Sequence, residues 1–92
     1  MKIEYDKKFL KDLEKINDKA VRVEINSFIS LIKASDDIRS IPKVKKLTSH
    51  KSAYRYRIGN YKVGFYYENS HIILRKVAHR RDFYKQFPFL II

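Results

Sequence analysis

The sequence of 92 residues contains no cysteine, which excludes one kind of stabilisation and one kind of site. Without cysteine there is no disulfide bond and no thiolate ligand for a metal ion. The three histidines, His50, His71 and His79, have neither metal-ligand spacing nor companion carboxylates. We therefore expect no bound metal and no cofactor.

Glycine and proline are scarce, with two of each in the chain. This leaves no room for a flexible linker, and no repeat or low-complexity segment is present. The apolar content of 45% and the thirteen aromatic residues argue against a disordered chain. We expect a single domain over residues 1–92.

Long apolar runs are also absent. The chain begins MKIEYDKKF, without the apolar stretch of a signal sequence, and no segment approaches the length of a membrane span. The sequence therefore predicts a cytoplasmic protein without a membrane partner.

Acidic residues are rare in the second half of the chain. Residues 1–41 carry nine Lys and Arg against eight Asp and Glu, whereas residues 42–92 carry twelve against two. Nearly all of the net charge of +11 therefore lies in the second half. A one-sided basic field favours a polyanionic partner, nucleic acid before membrane, although an acidic protein would fit the same field.

The first part of the chain, residues 2–34, predicts an edge strand and a helical hairpin. Lys2 to Tyr5 is short and alternating, as in a strand. Asp6 is a suitable N-cap for a helix with apolar residues at helical spacing, and Asn17-Asp18 ends that helix and begins a longer one. We expect the apolar stripes of both helices to cover a sheet.

Residues 35–52 predict a basic connector. Pro42 disfavours a helical conformation at the residue before it. The connector carries Lys43, Lys45 and Lys46. Two interpretations remain open, a solvated loop or a loop along a nucleic-acid groove, in which case these lysines are RNA-binding residues.

The next segment predicts a β-hairpin. Tyr54 to Ile58 and Tyr61 to Phe65 alternate strictly, which is typical of half-buried strands. Gly59-Asn60 between them predicts a two-residue turn, because glycine supplies the positive φ that such turns require. That turn sets the register and places Arg57 opposite Lys62.

Alternation divides the hairpin side chains between two faces. The expected core face carries Tyr54, Tyr56, Ile58, Tyr61, Val63 and Phe65, and the other face carries Arg55, Arg57, Lys62, Gly64 and Tyr66. Opposed like charges destabilise a sheet, so Arg57 against Lys62 indicates a bound anion, although a solvated face is the commoner meaning of charged strands. Gly64 predicts a gap on that face, as where a ligand backbone comes close.

The end of the chain predicts a third strand and a tail. Ile72 to Val77 is apolar on both faces, which predicts a central strand and completes a basic three-strand sheet over residues 54–80. The C-terminal tail, residues 81–92, ends in the apolar run Phe87 to Ile92. We expect this run to be buried, against the helices of the chain or by a partner.

The pattern YRYRIGNYKVGFYY, followed after a short turn by VAHRRDFYKQFP, resembles the RelE/ParE superfamily of toxins from type II toxin–antitoxin modules. The pieces R-I-G-x-Y-K/R and H-R-x-x-x-Y are specific together, and the resemblance covers nearly the whole chain. It implies an α+β fold of order β-α-α-β-β-β, with the helical hairpin packed on a small antiparallel sheet. It also implies a cognate antitoxin that wraps the toxin.

RelE-like members of this superfamily cleave mRNA in the ribosomal A site, whereas ParE-like members poison DNA gyrase with the same fold. The first interpretation is therefore a metal-independent endoribonuclease, an mRNA interferase that acts on ribosome-bound mRNA and inhibits translation. The alternatives are a gyrase inhibitor without nuclease activity and an inactive RNA-binding or antitoxin-binding module.

By position, the resemblance implies an active surface made of Arg55, Arg57, Lys62, Arg80 and Tyr84. RelE resembles this chain but carries lysines at the places of Arg55 and Arg57. Arginine stays protonated, so neither residue can act as a general base. Both can hold phosphates and stabilise charge in a transition state.

RNA cleavage without a metal needs a base for the 2′-OH and a proton for the departing 5′-oxygen. Histidine is best matched to either task near neutral pH, so His79 is the candidate, with Tyr84 as partner acid, base or stacking platform. The alternative for His79 is a structural role at a strand end. Tyr66 is either a stacking platform for a base or buried under a neighbouring segment, and Arg81 is a further RNA-binding candidate.

Overall fold

Two helices form where the sequence supplies both a capping residue and an apolar stripe. In the computed structural model, which describes residues 1–88, strand β1 (Lys2–Tyr5) leads into α1 (Lys7–Lys15) and then α2 (Lys19–Ala34). Asp6 and Asp18 cap the two helices, each carboxylate accepting a backbone N–H two residues further on, at 2.8 and 3.0 Å. The N-cap predicted at Asp6 is confirmed, as is the break between the two helices at Asn17-Asp18.

Five strands form one sheet in the order β1-β5-β4-β3-β2. The remaining strands are β2 (Val44–Lys46), β3 (Ala53–Ile58), β4 (Tyr61–Glu68) and β5 (His71–His79). Strand β1 pairs parallel to β5, and the other neighbours are antiparallel. The predicted α+β class with a helical hairpin on the sheet is confirmed, and β1 makes the sheet mixed.

The central hairpin has the predicted register. Gly59 adopts a φ of 53°, and the Cα partners run from Ile58 with Tyr61, through Arg57 with Lys62, to Tyr54 with Phe65. Strand β5 lies between β1 and β4, as its two apolar faces predicted.

Three short elements were not predicted, and the first of them is a 3₁₀ helix over Ile38–Ser40 in the expected connector. Strand β2 lies inside the expected connector, so the interpretation of that whole segment as a loop is wrong. Helix α3 (Arg80–Gln86) lies where a tail was expected. Elements of three and seven residues are too short to display a clear hydrophobic period, and they depend on tertiary contacts.

Helices α1 and α2 cover one face of the sheet. Phe28 of α2 stacks on Tyr56 with ring centroids 3.9 Å apart and lies 5.7 Å from Phe65. Of the six residues expected on the core face, five are buried and Tyr61 is partly buried. The predicted core face is confirmed.

Helix α3 packs on the opposite face through a second, smaller cluster of Ala53, Phe83 and Phe87. The Phe87 ring lies over Gly64, so the predicted gap for a ligand at Gly64 is wrong, because the chain fills it itself. Phe87 is buried in this cluster, away from α1 and α2. The rest of the predicted buried run, residues 89–92, lies outside the described residues. None of the helices in residues 1–88 is long and apolar enough to cross a membrane.

Candidate nucleic-acid interface

The sheet face opposite α1 and α2 carries a cluster of four cations next to the Gly59-Asn60 turn. In register, Arg57 stands opposite Lys62, and Lys45 of β2 stands opposite Arg55. None of the four forms an ion pair with a carboxylate within residues 1–88. We call this surface, made of Lys45, Arg55, Arg57 and Lys62, the cationic face.

Helix α3 brings Tyr84 to the edge of the cationic face. The Lys62 ammonium donates a hydrogen bond to the Tyr84 hydroxyl at 3.2 Å and lies 4.5 Å from the centroid of the tyrosine ring. Tyr84 is 55% exposed, so its ring is not part of the core. Arg80, also exposed, precedes Tyr84 by four residues on the helix, a spacing that places both on one side.

The environment lowers the pKa of the Tyr84 phenol from its ordinary value of about 10. Partial burial acts in the opposite direction and raises it. The hydrogen bond and charge of Lys62, with a further contribution from Arg55, outweigh that effect. The cationic face therefore favours the tyrosinate form of Tyr84.

The Arg55 guanidinium retains hydrogen-bonding capacity within the described part of the chain. Its Nη1 donates to the Lys43 carbonyl at a long 3.5 Å, and its Nε is buried without a hydrogen-bond partner. A surface pocket of about 320 Å³ lies here, lined by Lys43, Val44, Lys45, Arg55 and Arg57. An anion in this pocket would lie beside the Arg55 and Arg57 guanidinium groups and Lys45, which can donate charge-assisted hydrogen bonds to it.

The three connector lysines lie in different surroundings. Lys45 belongs to the cationic face. The Lys43 ammonium lies 4.0 Å from the carboxylate of Glu24 on α2, and the Lys46 ammonium donates to the His50 carbonyl at 3.2 Å. Only Lys45 is therefore aligned with Arg55 on the sheet face opposite α1 and α2, which we call the open face.

His79 occupies a different position from the cationic face. It caps α3, with its Nδ1 accepting the Arg81 backbone N–H at 3.2 Å. In register it stands opposite Tyr61, and the two rings meet edge to face at 5.6 Å. We call the sheet face under α1 and α2 the helix-covered face. Tyr61 belongs to it, so His79 lies on that face too. The structure brings Lys62 and Tyr84 together but not His79, whose catalytic role stays a prediction.

Tyr66 and Arg81 lie at the periphery. The Tyr66 ring packs between His50 and Phe87, with centroids 5.2 and 5.1 Å away, and is partly buried. Arg81 is exposed at the start of α3. Within residues 1–88 no group of three His, Asp or Glu side chains converges in the way a metal ion requires.

Two contributors to this surface were missed from the sequence. One is the pairing of Lys45 with Arg55, which follows from β2. The other is α3 itself, which carries Tyr84 to Lys62. Phe83 and Phe87 are four residues apart, the spacing of one helix face, but two residues are too few to establish a helical period.

No family model matches the chain. Toxin RelE3 of Methanocaldococcus jannaschii is 33% identical over 89 residues, covering 96% of this chain and 100% of that protein. A chain of the RelB-RelE antitoxin-toxin complex from Methanococcus jannaschii superposes with a TM-score of 0.80 at 32% identity, covering 92% of this chain and 99% of that one. A chain of the archaeal RelE-RelB complex from Pyrococcus horikoshii OT3 has a TM-score of 0.67 at 23% identity, over 86% and 93% of the two chains, which is a likeness of fold alone.

The helical hairpin on one face of a five-stranded sheet is thus the fold of a toxin from a toxin–antitoxin pair. Given the identity to Toxin RelE3 over nearly the full length of both chains, this chain belongs to the RelE family of toxins. The resemblance predicted from the sequence is confirmed.

Proposed function

We propose that this chain is a metal-independent endoribonuclease that cleaves ribosome-bound mRNA in the cytoplasm and so inhibits translation. The observation that carries the proposal is the contact between Lys62 and Tyr84 on an exposed face that also presents Arg55 and Arg57 without a carboxylate partner among the described residues. Such a face suits RNA, whose phosphodiester brings the negative charge and whose 2′-OH is the nucleophile.

The reaction is a transfer of the phosphoryl group within the RNA. The 2′-oxygen attacks the adjacent phosphorus and loses its proton, and the bond from phosphorus to the 5′-oxygen breaks. Tyr84 is the proton-transfer group, because its lowered pKa enlarges the fraction of tyrosinate that can accept the proton of the 2′-OH. The products are an RNA with a 2′,3′-cyclic phosphate and an RNA with a 5′-hydroxyl.

The cations stabilise the charge that develops during this reaction. Arg57 and Lys62 face each other across the hairpin, where a phosphorane with added negative charge is held better than the ground-state phosphate. Arg80 lies on the same side of α3 as Tyr84 and is assigned to the same phosphate. The departing 5′-oxygen takes its proton from Tyr84 or from water.

The pocket beside Arg55 is assigned to a neighbouring phosphate of the RNA. The Arg55 and Arg57 guanidinium groups and Lys45 line that pocket and offer charge-assisted hydrogen bonds there. Lys43, Tyr66 and Arg81 surround this track and complete the proposed RNA-binding surface, whereas Lys46, which bonds the His50 carbonyl, lies outside it.

We further propose that a cognate antitoxin covers the chain when it is inactive. The similar chains from Methanococcus jannaschii and Pyrococcus horikoshii are in RelB-RelE complexes. The excess of positive charge in residues 42–92 suits an acidic protein segment, which would compete with RNA for the same field.

The decisive experiment maps RNA 5′ ends after brief expression of the chain. We expect cuts inside reading frames, ending in 2′,3′-cyclic phosphates, and a loss of rate of roughly 10²–10⁴-fold in Tyr84→Phe. Tyr5→Phe is the matched control, because Tyr5 is 40% exposed and lies on β1 at the far edge of the sheet. Intact mRNA together with DNA-damage signalling would replace this proposal with gyrase inhibition.

A further inference from the structure

Gly64 and Phe87 make a contact that no other residue at position 64 would allow. A Cβ built on Gly64 would lie 2.6 Å from Cδ2, 2.7 Å from Cγ and 2.9 Å from Cε2 of the Phe87 ring. Carbon atoms in favourable contact lie roughly 3.5–4.0 Å apart. Any side chain at position 64 therefore forces the ring off the strand.

Phe87 in turn holds helix α3 on the sheet. The helix has seven residues, which is too short for stability on its own, so its position depends on its tertiary contacts. Those contacts are the buried rings of Phe83 and Phe87 and a hydrogen bond of 2.7 Å from the Arg80 N–H to the Asn60 carbonyl. With Phe87 displaced, the carboxyl end of α3 loses its attachment.

The same strand carries the partner of Tyr84. Lys62 precedes Gly64 by two residues on β4, so both lie on the open face. Tyr84 precedes Phe87 by three residues, and the Tyr84 ring rests edge to face on Phe83 at 5.0 Å. Strand β4 thus contacts α3 and its C-cap at two points. Gly64 packs against the Phe87 ring, and Lys62 bonds the Tyr84 hydroxyl.

We propose that the fit of Phe87 on Gly64 positions Tyr84 against Lys62, which makes Gly64 and Phe87 positioning residues of the candidate active surface. Neither residue touches the substrate. The effect on the reaction rests on the proposed function, whereas the effect on the Lys62–Tyr84 contact does not. A shift of roughly 1 Å in a reacting group can lower a rate by about 10²-fold.

The first test is Gly64→Ala, read by NMR titration of ¹³C-labelled tyrosine, with Tyr84→Phe used to assign the Tyr84 signal. We expect the pKa of Tyr84 to rise towards that of a free tyrosine, since the Lys62 contact that lowers it is lost. We also expect kcat for RNA cleavage to fall about 10–100-fold while KM changes little, because the cations of β3 stay in place.

Val63→Ala is the matched control, because Val63 is the neighbouring residue on β4 but is fully buried on the helix-covered face. It should lower the melting temperature without altering the Tyr84 titration. A folded Gly64→Ala with the Tyr84 titration and kcat of the parent would overturn the proposal.

A double-mutant cycle keeps the proposal testable if Gly64→Ala folds poorly. Phe87→Ala removes all three ring atoms that the new methyl group would meet, so we expect Gly64→Ala to have little further effect on stability or on the Tyr84 titration in the Phe87→Ala background. In the parent, Phe87→Leu and Phe87→Ala should each raise the pKa of Tyr84. Additive effects, or an unchanged Tyr84 titration in Phe87→Ala, would refute the positioning role.

The two proposals fail in distinguishable ways. If the parent does not cleave RNA but the Tyr84 titration follows Gly64 and Phe87 as described, the proposed function is wrong and the positioning contact stands. If the parent cleaves RNA and the pKa of Tyr84 is unchanged in the Gly64 and Phe87 variants, the positioning inference is wrong and the proposed function stands.

Discussion

At the scale of single residues, the most informative pair is Lys62 and Tyr84. They lie 22 residues apart in the sequence, and the Lys62 Nζ lies 3.2 Å from the Tyr84 hydroxyl oxygen. The face of Lys62 was predictable from turn chemistry and alternation. The position of Tyr84 was not, because it depends on a helix seated by Phe87. Half of this pair therefore follows from local rules, and the other half from packing.

The pair predicts a pH dependence for RNA cleavage. If tyrosinate accepts the 2′-OH proton, the rate rises about tenfold per pH unit below the Tyr84 pKa and levels off above it. Lys62→Met removes the strongest interaction that lowers this pKa, so the levelling should move to higher pH and the rate near pH 7 should fall. Single-turnover rates between about pH 6 and pH 10 measure this. Lys46→Met is the control, and an unmoved profile in Lys62→Met would exclude Tyr84 as the base.

His79 gives a second prediction, because its two possible roles respond differently to asparagine. Asparagine is a good N-cap but does not titrate, whereas alanine caps poorly and costs about 0.5–2 kcal/mol. From the cap geometry we expect His79→Asn to keep both the melting temperature and the cleavage rate, and His79→Ala to lose stability. Thermal unfolding and cleavage assays separate the cases. Loss of cleavage in a stably folded His79→Asn would return His79 to the mechanism.

At the scale of elements, some helices and strands are specified by their local sequence and others are not. The hairpin of β3 and β4 is specified, because the Gly59-Asn60 turn sets the register and alternation sets the faces. Strand β2 and helix α3 are not, because three or seven residues hold too few apolar positions to display a period. They take their structure from β3 and from the Phe83 and Phe87 cluster.

Strand β2 offers a matched pair of neighbouring lysines for a third prediction. Lys45 stands opposite Arg55 on the cationic face, whereas Lys46 is one residue on and bonds the His50 carbonyl. We expect Lys45→Ala to weaken binding of single-stranded RNA and to reduce its salt slope by roughly 0.7, as for one lost phosphate contact. Lys46→Ala should leave the slope unchanged. Fluorescence anisotropy over a salt series measures both, and equal slopes would remove β2 from the RNA track.

At the scale of the whole molecule, the sheet separates stability from function. Its helix-covered face holds the main core, where Phe28 stacks on Tyr56 and packs against Phe65. Its open face opposes Lys45 with Arg55 and Arg57 with Lys62, without a carboxylate partner among residues 1–88. Like charges directly opposite on a sheet are destabilising, by up to roughly 1 kcal/mol for each pair. The open face is therefore less stable than a neutral one would be.

This separation predicts that neutralising the open face stabilises the fold while it abolishes RNA binding. In a variant with Arg55→Gln, Arg57→Gln and Lys62→Gln, relief of repulsion worth about 1 kcal/mol would raise the melting temperature by roughly 4–8 °C. The gain should shrink at high salt, because salt screens exposed charges. The salt slope for single-stranded RNA should fall by about 2, for three lost phosphate contacts.

The control for that variant lies on the other face. Phe28→Leu removes part of the ring stack on Tyr56, so it should lower the melting temperature and leave the salt slope of RNA binding as in the parent. Calorimetry at low and high salt, together with anisotropy on the same samples, tests both variants. A neutralised variant that melts lower than the parent at low salt would mean that the three cations stabilise the free protein. Their placement would then need no anionic ligand to explain it.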